Sequence, residues 1–89
     1  MQRSWQADIS AGFRRRLGRS AQDLGLSSSS SSCPDIWELD NGDFAMIGTD
    51  ATEAYSDRLP DGVSLAADER LVVIPGAMVR AAKSDISDD

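Results

Sequence analysis

Glu38, Asp40 and Asp43 surround Gly42, an alternation of carboxylates before a glycine that resembles a calcium loop. The twelve-residue ligand spacing and the closing bidentate glutamate are missing, so the cluster reads as a solvated turn. Neither a metal nor another cofactor is expected. Ser10, Thr49 and the serines at 27–32 have no basic partner that would make any of them a nucleophile. The chain has no histidine, which removes imidazole general-base catalysis and an imidazole pH switch. Its single thiol, Cys33, has Asp35 two residues away, and a nearby carboxylate disfavours the thiolate. One cysteine also excludes an intrachain disulfide, a four-cysteine metal site and a redox pair. Asn41-Gly42 and Pro75-Gly76 are turn signals and lack the spacing of phosphate-binding loops. These residues point to a protein that is not an enzyme.

The residues best suited to binding stand near the start. Trp5, Ile9, Phe13 and Leu17 recur every four positions, and Leu24 falls near the same side. At ~100° per residue they cover an arc of roughly 120°, the pattern of an amphipathic helix. Gly12 and Gly18 each weaken such a helix by ~1 kcal/mol relative to Ala, which leaves it marginal on its own. Three uses compete for it. The stripe docks on the rest of the chain or frays in solution. Alternatively Trp5, Ile9, Phe13 and Leu17 are anchors that enter a groove on a partner protein. In the third use, Arg14, Arg15, Arg16 and Arg19 meet an anionic surface, nucleic acid or membrane, against the repulsion of an acidic remainder.

Those elements must be placed by a chain whose charge is divided. Residues 1–32 hold five arginines against Asp8 and Asp23, a net of +3, whereas residues 33–89 hold four cations against 13 acids, a net of −9. The total is −6. Opposite signs allow the basic segment to lie on its own acidic body. The border is six consecutive serines, which have nothing apolar to bury and read as a linker. The expected organisation is a basic helical arm at 1–26, a poly-serine linker at 27–32, a compact ββαβα domain at 33–83 and an acidic, frayed tail at 84–89.

Within the body, residues 35–40 form a strand candidate, followed by Asn41-Gly42 and a return strand at 44–48. Asn-Gly is the strongest short hairpin signal, because a type I′ turn needs positive φ at both central positions. A two-residue loop pairs Leu39 with Phe44 and Trp37 with Met46, which places four apolar residues on one face. Trp37 and Phe44 have base-stacking shapes, but the acids around them favour core packing. Asp50 with Glu53 resembles a capping arrangement for a helix whose face is Ala51, Ala54 and Tyr55, ended by Pro60-Asp61-Gly62. Leu71-Val72-Val73-Ile74 reads as a strand buried on both faces. The simplest sheet sets that strand beside the first strand of the hairpin. A short helix at 77–83 follows. The fold class is α+β, a small three-stranded sheet preceded by an N-terminal amphipathic helix and a serine-rich linker.

An 89-residue chain suits one small domain and excludes a multidomain enzyme. No apolar run approaches the ~18–20 residues that span a bilayer. The arginine triplet is not followed by an apolar signal core, so secretion is not expected; Asp8 and Asp23 weaken a transit-peptide reading. A cytoplasmic location is the expectation. The segments Cys33-Pro34-Asp35-Ile36-Trp37-Glu38-Leu39, Gly42 through Glu53, and Asp68-Glu69-Arg70-Leu71-Val72-Val73-Ile74-Pro75 resemble uncharacterised small acidic actinobacterial proteins. That resemblance implies a bacterial, cytoplasmic accessory protein and carries no activity, cofactor or site residue. The sequence therefore leads to a non-catalytic interaction or regulatory protein that binds a partner protein through its N-terminal helix or its acidic face. The alternative is a nucleic-acid-associated regulatory protein that uses the arginine-rich arm.

Overall fold

The computed structural model describes residues 5–27 and 34–86. Cys33, most of the serine run and the last three residues lie outside the described residues. The chain forms a small α+β fold with a three-stranded antiparallel sheet, a second sheet of two strands and a short helix near the end. Among the described residues no helix is long and apolar enough to cross a membrane.

The main sheet consists of β1 (Phe13–Arg16), β2 (Asp35–Leu39) and β3 (Phe44–Ile47), in that spatial order. The N-terminal helix expected from the four-residue stripe is absent from residues 5–27. Gly12 and Gly18 bracket the segment and disfavour a helix, whereas the edge of β2 offers it a ladder of backbone partners. Arg15 pairs with Glu38 and Arg16 with Trp37 across that ladder, with an irregularity between Phe13 and Arg15. The ladder continues as Leu17 N–H donates to the Ile36 carbonyl, and Asp40 N–H to that of Gly12.

The hairpin forms, but its register differs by one residue from the expected one. Ile36 faces Met46, Trp37 faces Ala45 and Glu38 faces Phe44. The loop holds three residues rather than two. Gly42 N–H donates to the Leu39 carbonyl, and Leu39 N–H donates to that of Asp43. Gly42 has φ +90°, and among the described residues none other than glycine has positive φ. Asn41 thus keeps an ordinary backbone, and its side chain accepts a bond from Asp43 N–H. This is a turn closed by a glycine bulge instead of a type I′ turn. A shift of one residue moves side chains to the opposite face. Trp37 and Leu39 therefore share a face with Ala45, not with Phe44 and Met46.

The 71–74 run also differs from its expected place. β4 (Thr49–Asp50) pairs antiparallel with β5 (Val72–Val73) as a separate sheet, and Val72 and Val73 are exposed. β1 already occupies the edge of β2 that this strand was to take. Between β3 and β4 the chain bends at Gly48, where a Cβ would lie 2.5 Å from the Val73 carbonyl oxygen. The helix expected after Asp50 is a single turn, α1 (Thr52–Tyr55). Asp50 bonds Thr52 N–H, and no side chain caps the turn. Ala51 is buried, whereas Tyr55 is exposed and stacks under the Arg58 guanidinium at 4.3 Å.

α2 (Gly76–Ala82) lies over β2, as a short C-terminal helix with Met78 and Ala82 inward. The core is Leu17, Ala21, Ile36, Met78 and Ala82, with Leu24 and Ile74 packed against it. A 3₁₀ turn at Lys83–Asp85 follows α2. Asp85, expected in the frayed tail, accepts a bond from Gly18 N–H on its side chain and from Arg15 on its carbonyl.

Candidate functional site

The side of the main sheet opposite α2 carries Phe13, Arg16, Asp35, Trp37 and Leu39. β1 and β2 place them together because residues paired across an antiparallel ladder share a face. The Phe13 and Trp37 rings lie 5.6 Å apart at 57°. The Arg16 guanidinium stands 5.0 Å from the Trp37 ring centre, within cation–π range. It also forks onto Asp35, with Nε 2.9 Å from Oδ1 and Nη2 2.9 Å from Oδ2. On the α2 side, Arg15 Nε lies 2.8 Å from Glu38 Oε1. Arg15 and Arg16 therefore bind the basic segment to acidic β2, the use of opposite charge that the sequence allows.

Burial alone would raise the Asp35 carboxyl, but hydrogen bonds from Arg16 and Trp37 and the Arg16 charge hold it below its ordinary value. A depressed folded value means that the ion pair contributes stability above the ordinary carboxylate range and loses it as pH falls through the folded value. Asp35→Asn is expected to lower stability by about 1–2 kcal/mol at pH 7. It should also flatten the decline in stability below about pH 4. Urea unfolding at a series of pH values checks both effects. An unchanged acid limb in the variant would remove Asp35 from the linkage.

The structure places the four stripe residues differently from one another. Trp5 is 57% exposed, Ile9 96% and Phe13 65%, whereas Leu17 is 1% exposed and belongs to the core. No single helical face joins them. Trp5 instead lines a shallow groove of about 270 Å³ with Ala7, Asp8, Leu39, Asp43 and Phe44, beside the hairpin turn. Of the four arginines, Arg15 and Arg16 are committed to Glu38 and Asp35. Arg14 and Arg19 form no bond or ion pair with the described residues. The partners Asp35, Glu38 and Trp37 were not singled out by sequence reasoning as neighbours of the arginines. A strand reading of 13–16 beside 35–39 would have revealed them, since consecutive arginines on a strand point to opposite faces and there meet Glu38 on one side and Asp35 on the other.

Other polar groups among the described residues are engaged locally. Ser10 donates to Asp8 Oδ1 at 2.6 Å, a bond that holds the Asp8 carboxyl below its ordinary value. A carboxylate that also accepts Ser10 N–H orders the turn. Among the described residues no three acids, cysteines or histidines are grouped to hold a metal ion, and Glu38 of the carboxylate cluster is engaged by Arg15. A second depression of about 690 Å³ is lined by Asp50, Thr52, Glu53, Ala54 and Arg70. Arg70 there is spent on the Ala67 and Glu69 carbonyls. Comparison with protein-family models, curated proteins and solved structures finds no match to this chain.

Proposed function

We propose that the chain is a non-catalytic, cytoplasmic interaction or regulatory protein that binds a partner protein through Trp5, Ile9 and Phe13. The observation that supports this reading is the exposure of these three large apolar residues on one short segment in a protein whose core is small. Exposed aromatics that cluster mark contact surfaces in soluble proteins. Phe13 extends this surface onto Trp37, whose ring lies 5.6 Å away. Leu17 takes no part in contact, because exposing it would open the core.

The nucleic-acid alternative rests on Arg14 and Arg19 alone, since the other two cations are paired. Two phosphate contacts would give a salt slope of only about −2, which the acidic body opposes. The partner-protein reading is therefore preferred. Trp5→Ala combined with Phe13→Ala is expected to weaken capture of a specific partner from nuclease-treated lysate by about 100-fold, a loss of about 3 kcal/mol. Far-UV circular dichroism should stay unchanged. Full retention of the partner by the folded double variant would refute the assignment. Retention abolished by nuclease treatment would favour nucleic acid instead.

A further inference from the structure

We propose that the outer edge of β3 pairs with the same strand of a second copy of this chain. The two edges of the main sheet are built differently. β1 carries three arginines and an irregular ladder, and both features discourage a further strand. β3 is Phe44-Ala45-Met46-Ile47, with a regular register and no charge, proline or bulge. The hydrogen bond from Leu39 to Asp43 sets the alternation. Ala45 and Ile47 turn their backbone groups to β2, and those of Phe44 and Met46 point outward. No backbone bond from a described residue reaches those outward groups.

Side chains add to the case. Phe44 and Met46 stand on the α2 side of the sheet, but α2 lies over β2 and leaves them half exposed. An antiparallel two-fold with Ala45 opposite Ala45 of the second copy sets each Phe44 against a Met46. It closes four backbone bonds and joins two aromatic rings and two thioethers in one apolar row. Asp43 then faces Ile47 of the other copy, so no like charges meet although each chain carries −6. The second copy is the chosen occupant because the strand is neutral and matches itself in this register. A four-residue edge is smaller than a standard interface, so dissociation is expected at about micromolar concentration or above. This surface adjoins the groove lined by Trp5 and shares Asp43 and Phe44 with it, whereas Met46 lies outside that groove.

The test is mass by light scattering on the full chain from about 5 to about 500 µM, bracketing that range. Twice the 9.6 kDa of one chain is expected at the upper end, and Met46→Lys should remain at 9.6 kDa throughout. A second measurement uses Ala45→Cys with Cys33→Ser. In this register the two Cα atoms are about 4.5 Å apart, within disulfide range. Mild oxidation should cross-link it at least about ten times faster than Ser56→Cys in the same background, because pairing raises the effective concentration. A chain of 9.6 kDa at every concentration with no preferential cross-link overturns the proposal. So does a dimer that Met46→Lys leaves intact and Ala45→Cys does not trap.

Discussion

Leu17→Ala is expected to cost about 3 kcal/mol, most of the stability of a chain this small. Leu17 and Met78 are the two largest side chains that are fully buried, and both belong to the cluster around Ile36. Truncation leaves a cavity between β1, β2 and α2 that few neighbours can fill. Ile9→Ala, on an almost fully exposed residue of the same segment, should change stability by less than about 0.5 kcal/mol. Urea unfolding of the two variants separates an arm from a strand. If residues 13–17 were a helix on a flexible linker, neither truncation would alter the unfolding of the body. A stability loss confined to Leu17→Ala requires that this segment is part of the core.

Gly18→Ala should be comparably damaging, by about 3 kcal/mol, for a different reason. Gly18 has φ +69°, where a side chain costs about 1–2 kcal/mol. A Cβ there would lie 2.8 Å from the Ala81 carbonyl carbon and the Ala82 nitrogen, so α2 would have to move. Moving α2 disturbs Met78 and the bond from Gly18 N–H to Asp85. Gly25 supplies the control. Its φ is +75° with nothing within 4 Å of the added Cβ, so Gly25→Ala should cost only the backbone strain of about 1 kcal/mol. A difference of about 2 kcal/mol between the variants, from denaturant midpoints, measures the close approach of the chain to α2. Equal losses would mean that α2 does not press on Gly18.

The acid dependence assigned to Asp35 connects with these variants. Arg16 ends β1 and Leu17 follows it, so the ion pair and the core hold the same segment from opposite faces of the sheet. Loss of either should loosen both. Asp35→Asn and Leu17→Ala are thus expected to add by less than their sum.

Local chemistry in the sequence determined much of this protein. The hairpin at Asn41-Gly42, the helix near the end and the bend signals at Pro75 and Gly76 are each legible within a few residues. So is the division of charge that lets a basic segment lie on acidic β2. Tertiary structure alone decided what the first segment becomes. A four-residue apolar recurrence suits a helix in isolation, but strand pairing with β2 satisfies its backbone without the two-glycine penalty. The hairpin register was likewise not legible, since Asn-Gly serves both a two-residue loop and a glycine bulge, and the choice rests on which face meets α2. The partition of the arginines followed from that pairing: Arg15 and Arg16 meet carboxylates across the ladder, and Arg14 and Arg19 do not. Sequence spacing determines which residues share a local face, but only the assembled sheet determines which face is covered. Here that leaves Leu17 inside and Trp5, Ile9 and Phe13 outside.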